Sequence, residues 1–129
     1  VLEAGLYTYV SADVTLTGLI SDRLYPLLAP QESPAPYVTF QRISTNRTYD
    51  LAGPNHLTRC RIQFDCYGVT LLSAKTVAEA VRERIDGYMG SMGSIVVQSV
   101  MRANELDLYE PTTEQYRTSS DYWIVFVED

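Results

Sequence analysis

Few side chains in this sequence could do covalent or metal chemistry, and their spacing decides against most of it. His56 is the only histidine. A Ser-His-Asp relay would have to use it, yet it lies beside Gly53-Pro54 in a polar stretch without periodicity, where fixed geometry is not expected. It is read as a surface histidine. Cys60 and Cys66 are the two cysteines. Six strand residues span roughly 20 Å, whereas a disulfide needs Cα atoms roughly 5.5 Å apart. Both fall on the apolar face of one predicted strand, so buried free thiols are expected rather than nucleophiles. One histidine and two distant cysteines also fall short of the roughly four ligands of a zinc site.

The carboxylates offer two pairs. Glu105 and Asp107 share one face of a predicted strand, and Glu79 and Glu83 share a helix face. Paired acids can serve hydrolysis or hold a cation, but no Gly-rich calcium loop accompanies either pair, and surface charge is the plainer reading. Gly87, Gly90 and Gly93 recur every third residue. No Gly-Lys-Ser/Thr closes that run and it follows a helix, so it is a flexible helix-to-strand connection and not a phosphate loop. Asn46-Arg47-Thr48 matches a glycosylation sequon. The start Val1-Leu2-Glu3 has no basic region ahead of an apolar block, so no signal peptide is expected and the site should stay unmodified. No enzyme, cofactor or metal signature emerges.

The elements that would position these residues follow from patterning. The chain has 129 residues, 46% hydrophobic and 20% charged, which is the composition of one globular domain spanning 1–129. Leu2, Leu6, Tyr9 and Val10 fall on one helical face over Leu2 to Ser11. A turn-rich piece runs through Gly18 to Asp22, then a short extended segment from Arg23 to Leu28, interrupted by Pro26. Pro30, Pro34 and Pro36 punctuate the next loop. Tyr37 to Ser44 reads as a strand. The polar stretch Thr45 to His56 reads as a long hairpin tip projecting from the body. From Leu57 to Tyr67, Cys60, Ile62, Phe64 and Cys66 alternate with Arg59, Arg61, Gln63 and Asp65, so one face is buried and the other meets water or a partner.

Thr70 is the expected N-cap of a long helix and Gly87 its C′ residue. Leu71, Ala74, Ala78, Val81, Ile85 and Tyr88 form the apolar stripe. Lys75–Glu79 and Arg82–Asp86 stand at i,i+4 on the wet side. Further strands are expected at Ile95 to Arg102, Glu105 to Tyr109 and Tyr116 to Val127, the last apolar on both faces and therefore mid-sheet. The fold class is α+β: a mainly antiparallel sheet with two helices packed on one face and a long projecting strand–strand loop.

Charge narrows the partners. Sixteen acidic residues against ten basic give a net charge of −6. A protein that grips a duplex shows the opposite sign, though one that DNA passes without being held need not. No apolar run reaches the roughly 20 residues of a membrane span, so no membrane partner is expected. Nine of the ten basic residues are Arg and there are ten Tyr, both enriched at protein–protein contacts, although Tyr also favours sheets.

Taken in order, several segments resemble one family. They are Glu-Ala-Gly-Leu-Tyr (3–7), Asp-Arg-Leu-Tyr-Pro (22–26), Pro-Tyr-Val-Thr-Phe-Gln-Arg-Ile-Ser (36–44) and Arg-Ile-Gln-Phe-Asp-Cys-Tyr (61–67). Ala-Lys-Thr-Val-Ala-Glu-Ala-Val-Arg (74–82), Asp-Leu-Tyr-Glu-Pro (107–111) and Tyr-Arg (116–117) follow. The chain resembles the tail completion, or head-to-tail joining, proteins of long-tailed bacteriophages, which are tail-terminator-like. It departs from them at Tyr88 to Ser94, which is richer in Gly and Met than the family pattern.

The resemblance implies a structural virion protein assembled in the host cytoplasm. It implies a homo-hexameric ring on the head-proximal end of the tail tube. One face would meet the tail tube protein and the other the head connector or stopper, with DNA passing through the hole without sequence-specific binding. No cofactor and no reaction are implied. A ring needs two different, complementary patches per subunit. The candidates are Arg47, Tyr49 and Asp50 in the tip with Arg59 and Arg61 on the adjoining strand, set against a neighbour's Glu105, Asp107 and Glu110. Two other readings stand beside this one: a stand-alone α+β adaptor or ligand-binding module with no virion role, marked by a deep apolar pocket and a stable dimer, and a small hydrolase using Glu105 and Asp107.

Overall fold

The structure is a computed structural model of the chain. It describes the backbone of residues 1–50 and 53–128 and the side chains of residues 1–46 and 57–127. The element order is α1 (Leu2–Ser11), α2 (Val14–Ile20), β1 (Leu24–Pro26), β2 (Tyr37–Asp50), β3 (Gly53–Gly68), α3 (Leu71–Ile85), β4 (Gly90–Met92), β5 (Ile95–Glu110) and β6 (Gln115–Glu128). The strands make one sheet in the order β1-β2-β3-β6-β5-β4. The pair β1–β2 is parallel and all others are antiparallel. This is the expected α+β class.

The period-two reading of β3 holds residue by residue. Cys60, Ile62, Phe64 and Cys66 are all fully buried. They join Val38 and Phe40 of β2, Tyr122, Ile124 and Phe126 of β6, and Ile95, Val97 and Val100 of β5 in one apolar cluster. The helices supply the rest of that cluster through Leu2, Leu6 and Val10 of α1, Leu16 and Ile20 of α2, and Val77, Ala78, Val81 and Ile85 of α3. Phe64 sits at its centre, with its ring centroid 5.6 Å from Phe40 and 5.8 Å, edge-on, from Tyr122. β6 lies between β3 and β5, as its two apolar faces require.

Caps fix the ends of α3 where expected. The Thr70 hydroxyl accepts a hydrogen bond from the Ser73 amide at 3.1 Å, and Gly87 takes a left-handed φ of +79° just past the helix. Such an N-cap stabilises by about 1 kcal/mol.

Six expectations need correction. There are three helices among the described residues rather than two: Val14–Ile20 is helical, capped by the Asp13 carboxylate, which accepts from the Leu16 amide. The stretch Thr45 to His56 is not an unpaired loop in its described residues. The β2–β3 ladder continues through Arg47↔Thr58, Tyr49↔Pro54 and Asp50↔Gly53. The Gly-rich connection contains a short strand, β4. The strands expected at 95–102 and 105–109 are one strand, β5, with an irregularity between Arg102 and Asn104. Finally, Leu71 is 41% exposed, while Val77 and Ala80 are buried in the α3 stripe instead. Lys75 likewise leaves Glu79 to Arg82 and reaches across to β5.

The Tyr122 hydroxyl is buried and has no hydrogen-bond partner among the described residues. Burial pushes its phenol up from the ordinary value. An unsatisfied buried hydroxyl costs free energy, so Tyr122→Phe is expected to leave the folding stability read from urea unfolding unchanged or to raise it by up to about 1 kcal/mol. A loss of stability would show that the hydroxyl has a bonding role.

Candidate interface surfaces

The face of the sheet opposite the helices is built from rows of residues that run straight across four strands. The register places Tyr37, Tyr67, Arg117 and Leu108 in one row, and Thr39, Asp65, Ser119 and Leu106 in the next. Gln41, Gln63, Asp121 and Asn104 follow, then Ser44, Arg61, Trp123 and Met101, then Asn46, Arg59, Val125 and Ser99. Alternation explains this: the neighbours of the buried positions must point the other way.

Along these rows the side chains interlock. Arg61 donates to Asp121 Oδ2 from Nε at 3.2 Å and from Nη2 at 2.6 Å. The Arg59 guanidinium lies 3.9 Å from the centre of the Trp123 ring, and that of Arg61 5.5 Å from it. Tyr37 and Tyr67 stack at 4.6 Å, and Arg117 pairs with Glu110 at 3.2 Å. Beside this polar network Met101 and Leu106 stand 64% and 52% exposed. The face therefore mixes apolar and aromatic, charged and uncharged polar side chains, with the Tyr, Trp, Met and Arg that are enriched at subunit contacts.

Glu105 and Asp107 belong to the other face, opposite Ser120 and Thr118. Their carboxylates converge on the ammonium of Lys75 from α3, at 3.8 Å and 3.1 Å. The Thr118 hydroxyl donates to Asp107 at 3.0 Å, and Arg102 stands 3.8 Å from Glu105. One ammonium shared by two carboxylates, with Arg102 beside Glu105, ties the acids into an ion-pair strut between helix and sheet. Among the described residues no group of metal-ligating side chains assembles.

The expected site residues thus divide. Arg59 and Arg61 share one surface, as proposed from the alternation, while Glu105 and Asp107 lie on the opposite face and Glu110 pairs with Arg117. Arg47, Tyr49 and Asp50 have their backbone on β2, and their side chains lie outside the described residues, as does that of His56. Trp123, Asp121 and Lys75 were not among the candidates. Trp123 carried a signal, being the only tryptophan and one position from the core alternation of β6. Lys75 carried none, because its partners are 30 and 32 residues away.

A cleft of about 460 Å³ opens on the helix-free face under residues 27–33. It is lined by Gln41, Asp65, Tyr67 and Arg117 as well as Leu27, Leu28 and Pro30, a mixture of polar and apolar groups. Its rim is strained. Leu27 has φ +71°, and the Leu28 amide donates to Pro26 O at 2.8 Å across it, a tight left-handed turn.

Both cysteines are buried, and neither forms a disulfide among the described residues. Burial pushes the Cys66 thiol far up, and the neighbouring Asp65 and Glu105 charges add to the shift. Neither cysteine is therefore expected to react with iodoacetamide at pH 8 in the native protein, and both should react in denaturant. Rapid native labelling would contradict the burial.

The profile of the family described as "Tail completion protein gp17" matches residues 4–126. The chain belongs to that family. Its members are structural components of the bacteriophage tail, and the chain is accordingly a structural virion protein. Among solved structures, a chain of the "Virion of native gene transfer agent (GTA) particle" has the same fold, with a TM-score of 0.84 at 16% sequence identity. The alignment covers 98% of this chain and 94% of that one. No curated protein matches by sequence.

Proposed function

We propose that this tail completion protein is the subunit of a homo-hexameric ring that caps the head-proximal end of the tail tube. On one side it meets the tail tube protein and on the other the head connector or stopper, and DNA passes through its channel without sequence-specific binding. The observation that carries this reading is the family match across nearly the whole fold, residues 4–126, rather than across a local motif. The molecule offers two unlike surfaces, a helix-covered face and an interlocked sheet face, and heterologous contacts between unlike patches are what close a ring. Capping requires one face that matches the tube end and another that refuses a further tube subunit, which is specificity by difference. A net charge of −6 suits a channel that must not hold phosphates.

At the subunit joint we assign Arg47, Tyr49, Asp50, Arg59 and Arg61 to one side and Glu105, Asp107 and Glu110 to the other. The protein is expected to assemble in the host cytoplasm and to self-associate weakly away from a tail end. Electron microscopy of purified protein mixed with tails that lack it tests the function: rings at one tube end only are expected, and decoration along the tube or none at all overturns it. Normal tail length with the double variant Arg47→Ala, Tyr49→Ala would remove those two residues from the joint.

A further inference from the structure

The sheet has two edges that its short outer strands leave open. On the β2 side, β1 pairs only with Val38–Phe40, and the Leu27 amide closes that cover by donating to Phe40 O at 2.7 Å. From Gln41 to Asp50 the strand has β3 on one side and no strand on the other among the described residues. On the β5 side, β4 pairs only with Ile95–Val97. The turn after α3 covers slightly more: the Gly87 amide donates to Val100 O at 2.9 Å and the Arg102 amide to Asp86 Oδ1 at 3.4 Å. From Asn104 to Glu110, β5 has only β6 beside it among the described residues. An open edge of this length is a template for another strand, and soluble proteins ordinarily blunt it.

The two edges match in direction, charge and position. Between and including them run four strands, β2-β3-β6-β5, each antiparallel to the next. An even number of such strands leaves the outer two running in opposite directions. The β5 of one copy therefore meets the β2 of the next antiparallel, the pairing used throughout the sheet. The β5 segment carries Glu105, Asp107 and Glu110 and no base, while the β2 segment carries Arg42 and Arg47 against Asp50 alone. Several of these charges already have partners within the chain (Arg42 with Glu3, Asp107 with Lys75, Glu110 with Arg117). Charge then chooses the orientation of the encounter more than it supplies affinity.

Position is the most telling match. The row Gln41–Gln63–Asp121–Asn104 crosses the sheet, and the open part of β2 lies on one side of it while the open part of β5 lies on the other. To pair them, neighbouring copies must slide along the strands by about six residues, roughly 20 Å. Four strands give each copy a width of roughly 19 Å. A slide about equal to the width tilts the strands by about 45°, at the upper end of the 35–45° that closed barrels adopt. The ratio is set per copy and does not depend on how many copies close the ring.

We propose that copies of this chain join the β5 edge to the β2 edge, antiparallel and staggered, so that the sheet runs continuously from subunit to subunit around a closed ring. This rests on the ring reading above and names its joint. Amide hydrogen exchange of the wild-type chain, free and assembled on tail ends, tests it without altering the fold. Exchange is expected to slow at least tenfold in peptides covering 104–110 and 41–50 and to stay unchanged over α3.

Cysteine pairs fix the register: Ser44→Cys combined in turn with Glu105→Cys, Leu106→Cys, Asp107→Cys and Leu108→Cys. Mild oxidation of rings should give disulfide-linked ladders at alternate positions only. Rings that form with neither edge protection nor any ladder overturn the joint and leave the ring standing. Wild-type protein that forms no ring on tails overturns both.

Discussion

Replacing Phe64 by alanine is expected to cost about 3–5 kcal/mol of folding free energy, the largest loss from any single truncation in the sheet. Phe64 is fully buried, and it touches β2 through Phe40 and β6 through Tyr122. Removing the ring forfeits both aromatic contacts and the transfer free energy of the side chain. The cavity left behind faces two strands held in register on either side of β3, so it cannot collapse easily. Single domains are stable by about 5–15 kcal/mol in total, so about a fifth or more of that margin would go. Urea unfolding should show a lower midpoint at unchanged slope. A loss below about 1 kcal/mol, small beside the range for buried Phe→Ala changes, would mean that Phe64 does not join the three strands.

Two glycine substitutions are expected to act with opposite sign. In Gly5→Ala the new methyl would overlap the carbonyl oxygen of Met92 and stand 3.0 Å from its carbon. These are backbone atoms of β4, which cannot rotate aside, and α1 would have to lift from the sheet edge. The expected loss is about 2 kcal/mol, although alanine by itself favours a helix by about 1 kcal/mol. In Gly18→Ala nothing lies within 4 Å of the added carbon, and α2 should gain about 0.5–1 kcal/mol. Thermal unfolding of the two variants reads both signs. Equal shifts would show that helix propensity alone, without the contact to β4, governs α1.

The sequence disclosed those parts of the fold whose signal is local. The unbroken alternation from Cys60 to Cys66 identified the buried face of β3, and Thr70 and Gly87 marked the ends of α3, because each rests on neighbours in the chain. α2 escaped because a seven-residue helix containing Gly18 has too few turns to announce itself and exists only by packing Leu16 and Ile20 inward. β5 read as two strands because the irregularity between Arg102 and Asn104 interrupts its alternation. The polar residues after Ser44 read as loop because polarity was the local signal, whereas their pairing is imposed by the partner strand. At the surfaces, the face shared by Arg59 and Arg61 was legible from period two. What those arginines do there was not, since Trp123 and Asp121 come from a strand some 60 residues later. The acid pair was legible too, but the lysine that pairs with it arrives from a helix.

The placement of β3 has a mechanical consequence. It is hydrogen-bonded along nearly its whole length by β2 on one side and, from Leu57 onward, by β6 on the other. Tension along the strands therefore loads two long ladders in shear, and their bonds must fail together. The margins β1 and β4 are held by ladders only three residues long and yield at a lower load. A pull on this subunit frays its borders first and leaves the central strands intact.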